Sequence, residues 1–253
     1  MPIPSSPAAQ DRLTAPAPAP AAFRGTARTV GVIYLAGMVL GIGGNLLILS
    51  ILGATDPLTS VATSSALLAL GVVFWLVTVA GDAAHGILMF PVLKPHGERM
   101  AMAYFGARII NAILVTVMTL LIACQIPLSN ANAAAAPADA ALLEALSRVL
   151  HQAEIYAYEF GMIALGVSGL ILCTVLRRSR LLPSALASWG LVGYAILLTG
   201  SLLEVLGLEL NTIHTIPGGL WEVFIGVWLI TKGFNTAAPT TVDPNKWVCC
   251  TDR

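Results

Sequence analysis

From Val30 onward the chain alternates long apolar stretches with short polar turns. Six stretches reach or approach the roughly 18 predominantly apolar residues that mark a membrane-crossing helix. They cover about residues 30–52, 61–93, 100–126, 152–176, 185–206 and 217–233. The second is longer than one crossing needs, so a tilt or a bend near Gly81, Gly86 or Pro91 is expected. The third ends at Pro127, and residues 129–138 (SNANAAAAPA) read as a loop. From Asp139 the pattern changes. Leu142, Leu143, Leu146, Val149 and Leu150 recur at helical spacing, with Asp139, Glu144 and Arg148 on the other side. That spacing predicts an amphipathic helix at the membrane interface before the fourth span, running on into it. The predicted fold is therefore all-α, a six-transmembrane-helix bundle over residues 25–235. Residues 1–24, rich in Pro and Ala, read as a disordered cytoplasmic tail rather than a signal peptide, because the apolar run starts too late. Residues 236–253 form a second, polar tail.

Composition agrees with this pattern. The 253 residues are 57% hydrophobic and 10% charged, with a mean hydropathy of +0.84, whereas soluble chains carry about 25% charged residues. The formal net charge of zero carries no signal as a total, but the placement of charge does. Arg24, Arg28, Lys94, Arg99, Arg177, Arg178, Arg180 and Lys232 fall at turns that six spans put on one side; Arg148 falls on the other. The positive-inside rule then places both termini in the cytoplasm. No basic stripe with interleaved aromatics suggests nucleic acid. Cys124 and Cys173 lie in spans, Cys249 and Cys250 in the closing tail, and no Cys/His spacing fits a metal site.

Polar side chains inside the spans are the candidate chemistry. Ionisable groups at membrane depth are costly and usually face the bundle interior in pairs. Asp82 and Arg108 lie at similar depths on either side of the basic turn Lys94–Arg99, so a buried ion pair is expected, with His85 and Asn111 one turn away as its supports. A second group gathers near the opposite face: Asn45, Glu159, Glu204, His214 and Glu222, with His151, Glu154 and Glu209 nearby. Converging Glu and His side chains suit either a divalent metal or a proton, although acids at span ends also simply border water. No GxSxG, HExxH, phosphate-loop or dinucleotide pattern occurs. Gly37 and Gly41, at small-xxx-small spacing, suit close helix approach. Trp189, Trp221, Trp228, Tyr156 and Tyr158 read as interface anchors.

Five segments carry a resemblance: VIYLAGMVLGIGGNLLIL (32–49), GDAAHGILMFPVLKP (81–95), ARIINAIL (107–114), LRRSRLLPSALASWGLVGY (176–194) and WEVFIGVWLITKGFN (221–235). In that order they resemble the bacterial membrane family catalogued as domain-of-unknown-function family 4386. The resemblance implies a compact helical bundle of a bacterial inner membrane with no assigned activity. It also implies that Asp82, Arg108, the turn 179–183 and Glu222 fall on the family's characteristic polar positions. An acid often stands in that family where this chain has Asn45. The functions left open are a protein binding a small molecule or lipid among its helices, transporter-like or regulatory, an intramembrane metal-dependent enzyme, and a structural partner subunit.

Overall fold

A computed structural model of the chain describes residues 23–208 and 210–235. Glu209, the closing tail with Cys249 and Cys250, and the leading tail up to Ala22 lie outside the described residues. The described part is helical: α1 Arg24–Leu52, α2 Pro57–Leu93, α3 Glu98–Ala123, α4 Gln125–Ala133, α5 Pro137–Arg178, α6 Ser184–Val205 and α7 Ile216–Thr231. Two short 3-10 turns, Lys94–His96 and Ile213–Thr215, precede α3 and α7. Six helices are long and apolar enough to cross a membrane, α4 continuing the third of them.

Local chemistry explains where these helices begin and break. Asp56 caps α2, its carboxylate accepting the Thr59 backbone N–H at 3.2 Å, with Pro57 at the first helical position. Hydrogen bonding from the Thr59 side chain, together with this backbone bond, holds the Asp56 carboxyl below its usual range. The irregularity in α2 falls at Ser64 (φ −126°, ψ 25°) rather than near Gly81, Gly86 or Pro91. Hydroxyl residues crowd that turn, and the Thr63 hydroxyl donates back to the Thr59 and Ser60 carbonyls, competing with the regular ladder. The expected loop at 129–138 is helical as far as Ala133. Pro127 sits in the first turn of α4, where a missing N–H leaves nothing unpaired. Ser129 then ties α4 to the Leu58 carbonyl at 2.9 Å. The amphipathic stretch from Asp139 and the fourth span form one unbroken helix of 42 residues. Its exposed residues include Leu142, Leu146 and Val149, and Ser147 and Gln125 lock it to α4 through paired hydrogen bonds.

The spanning helices pack in chain order, α1 on α2, α2 on α3, α3 on α5, α5 on α6 and α6 on α7, and α7 returns to α1. The bundle is thus a closed ring of six antiparallel spans. The closing seam depends on small residues: a Cβ on Gly31 would come within 2.6 Å of the Gly226 carbonyl oxygen. Gly37 and Gly41 do not serve this purpose. Gly37 only brushes Thr78, and Gly41 has nothing within 4 Å. The turns at Lys94–Gly97 and Ser179–Pro183 share one end of the ring with Arg24 and Thr231 and form its basic end; the turns after Leu52, Ala133 and Val205 form the far end. Asn235 clips the end of the chain to the arginine turn, its amide N–H on the Leu181 carbonyl and its side chain on that of Arg180.

Candidate functional site

Counting 1.5 Å per residue from the basic end, six residues on six different spans reach one level about 15 Å deep. They are Tyr34 of α1, Asp82 of α2, Arg108 of α3, Gly169 of α5, Tyr194 of α6 and Glu222 of α7. A span needs about 30 Å of hydrocarbon, so this level is the middle of the membrane. Arg108 is 3% exposed, and its Nη2 donates to Asp82 Oδ1 at 2.5 Å. The Tyr194 hydroxyl donates to Glu222 Oε1 at 2.8 Å. Arg108 and Asp82 lie within electrostatic range of Glu222. Gly169 makes room for the Tyr194 ring, which any Cβ there would strike. Trp221 fills the space beside the layer, edge-on to Tyr194 at 5.4 Å and to Tyr34 at 6.1 Å between ring centroids. Its indole N–H is satisfied by the Leu186 carbonyl at 2.7 Å.

The layer differs in membership from the expected one. Asp82 and Arg108 are paired, but His85 and Asn111 do not support the pair. Asn111 donates to the Gly161 carbonyl at 3.0 Å, tying α3 to α5. His85 lies one turn nearer the basic end, its Nδ1 at 2.5 Å from the Tyr104 hydroxyl and its ring edge-on to Tyr34 at 4.6 Å. Arg108 Nε, His85 Nε2 and Asn111 Oδ1 have no hydrogen-bond partner among the described residues. Beside His85, Tyr34 and Trp221 lies a small, mostly apolar cavity of about 10 Å³, room for one water molecule, with Val30, Leu229 and Phe234 walling it towards the basic end.

The five residues expected to converge near the far end do so only in part. Glu159 and His214 meet, with His214 Nε2 3.7 Å from Glu159 Oε2 and 3.3 Å from the Ser201 hydroxyl. Glu204 is near but engaged: its Oε1 accepts the backbone N–H groups of Leu210 and Asn211. Asn45 is exposed on the outer surface of α1. Glu222 belongs to the midplane layer, because α7 is only 16 residues long and its second turn is already near mid-membrane. His151 and Glu154 pair with each other at 2.9 Å. No group of three His, Cys, Asp or Glu able to hold a metal ion occurs among the described residues.

The aromatics also need revision. Trp221 is fully buried, and Tyr158 packs edge-on against Trp75 inside the ring, so neither is an interface anchor. Tyr34, Tyr104 and Tyr194, which do most of the hydrogen bonding and stacking around the site, carry no sequence signal. A tyrosine in an apolar run looks the same whether it faces lipid or a polar interior.

Neither a curated protein nor a solved structure matches the chain. The family described as domain of unknown function (DUF4386) matches residues 29–233, which takes in all six spans and every residue of the midplane layer. The chain therefore belongs to that family, as a multi-pass helical membrane protein.

Proposed function

We propose that the protein is a multi-pass protein of a bacterial inner membrane, both termini cytoplasmic, that binds a small polar molecule in its midplane layer as a transporter-like or regulatory unit. The observation carrying this reading is the layer itself. A guanidinium, two carboxyls and two tyrosines from five different spans meet at one depth, where such groups are too costly to be incidental. Arg108 Nε is a donor without a partner, and Glu222 has one hydrogen bond for its two oxygens. Together they suit a ligand bearing one acidic and one basic or hydroxyl group.

Native mass spectrometry of gently solubilised, untagged protein tests this. A bound organic mass is expected in the wild type and lost in Arg108→Lys and Glu222→Gln, with both variants still eluting as single species. A wild type that is empty from several lipid and growth conditions makes the layer architecture alone. Elemental analysis of the same samples addresses the metal-enzyme reading, which Glu159 and His214 alone support weakly, since catalytic zinc sites use three protein ligands. The partner-subunit reading is favoured by one feature, the open face of α1 at Gly41 and Asn45. A stable co-purifying protein released by Gly41→Leu would support it.

A further inference from the structure

A second site lies nearer the far end, outside the midplane layer, and it is built rather than incidental. His214 reaches the interior from the connection between α6 and α7, and it is 4% exposed although its neighbour Ile213 is 64% exposed. Three devices put it there. Asn211 and Thr212 both take left-handed backbone conformations, φ 48° and 58°, which costs a non-glycine residue energy and persists only where the surroundings enforce it. Glu204 braces the same segment by accepting the Leu210 and Asn211 N–H groups. Gly200 on α6 leaves the space that the imidazole fills, since a Cβ at that position would overlap His214. The imidazole then faces Glu159 of α5, itself 5% exposed, and Ser201 of α6.

What the site takes follows from what it leaves unpaired. His214 Nδ1 and Glu159 Oε2 are buried without a hydrogen-bond partner. At 3.7 Å, Nε2 and Oε2 are an ion-pair distance apart but too far for a hydrogen bond. An imidazole nitrogen and a buried carboxyl oxygen 3.7 Å apart can share one added proton between them. Two side chains are too few for a divalent metal.

We propose that Glu159, His214 and Ser201 form a proton-binding site near the far end of the ring. One proton leaves a hydronium ion in the water at that end, which becomes water, and is held between Nε2 and Oε2 with the Ser201 hydroxyl alongside. No covalent bond other than that to the proton forms or breaks. Among the described residues, the other titratable groups within electrostatic reach of Glu159 are Glu204 from α6 and its neighbour on α5, Tyr158. The site stands without the midplane ligand.

An infrared pH titration of the full chain in lipid films, with carboxyl-labelled glutamate, tests the site. Within the protonated-carboxyl region, to which the other glutamates also contribute, one band is expected to appear and vanish with pH in the wild type and to be missing from Glu159→Gln. In His214→Gln its midpoint moves by about one pH unit, as for interacting sites. A wild type with no such band, a band unchanged in Glu159→Gln, or a midpoint unmoved in His214→Gln overturns the proposal. The wild-type measurement needs no variant to fold. Ser201→Ala, a smaller change, provides a further check by shifting the band frequency. The bound organic mass scores the midplane reading separately: its absence beside an intact titrating band removes that reading and leaves this one.

Discussion

A guanidinium keeps its proton in any protein environment, while a carboxyl can take one up when its partner is lost. The ion pair of Asp82 and Arg108 is therefore unequal in its two halves. Arg108→Ala leaves Asp82 and Glu222, either of which can become neutral; Asp82→Ala leaves a buried cation with only Glu222 nearby. Removing one partner of a buried pair typically costs about 3–5 kcal/mol, and removing both costs much less than the sum. Asp82→Ala is expected to lower the thermal midpoint in detergent more than Arg108→Ala, and the double variant to recover part of the loss. With Cys124, Cys249 and Cys250 replaced by serine, unfolding can be followed through the thiol of Cys173, which is fully buried and reacts with a dye only on opening. Strict additivity would remove the pairing from any energetic account. At the surface, Asp56→Ala is expected to speed hydrogen exchange at the Thr59 amide. The same fraying should appear in the wild type as pH falls: the folded Asp56 carboxyl titrates below its unfolded range, so the cap is intact above about pH 4 and lost through the lower, folded value.

Among the elements, close approach of backbones carries the packing, because helices in lipid gain little from burying apolar surface against one another. Gly31 and Gly169 are the sharpest cases. Gly31→Ala drives a methyl into the Gly226 carbonyl, and Gly169→Ala drives one into the Tyr194 ring. Overpacking of this kind costs about 1–3 kcal/mol. The two substitutions should differ in effect: Gly31→Ala lowers the thermal midpoint alone, while Gly169→Ala also displaces Tyr194 and so weakens binding at the midplane. Measuring both properties for both variants checks this. The helices themselves were legible in the sequence, since six apolar runs suffice to count and place them. Asp82 facing Arg108 was legible too, because two spans joined by a short turn must bring equal depths together. Glu222 was not, because its depth depends on where a 16-residue helix starts. Asn45 was not, because exposure around a glycine-rich helix leaves no periodic mark. The convergence of α6 and α7 on α1 and α3 was beyond sequence reasoning, which ranks depths but not neighbours across the ring.

For the whole molecule, the even number of spans and the basic turns are the grounds for the proposed orientation. Cysteines placed at Ala54 or Ala135 should react with an impermeant thiol reagent in intact cells, and one at Lys94 only after lysis. The reverse pattern would invert the proposed topology. Closure of the ring has a consequence for how the protein is made. The chain enters the membrane span by span, so α1 arrives first and the helix that completes its packing arrives last. Until α7 is in place, the face of α1 bearing Ala27, Gly31 and Tyr34 has only lipid to meet, and Arg108 has a gap beside it where Glu222 will stand. Every molecule passes through this unsealed stage, and a chain that stalls after Val205 remains in it. In such a chain the side of the ring between α1 and α6 stays open, and the Arg108–Asp82 pair lacks the second carboxyl that a finished copy sets beside it.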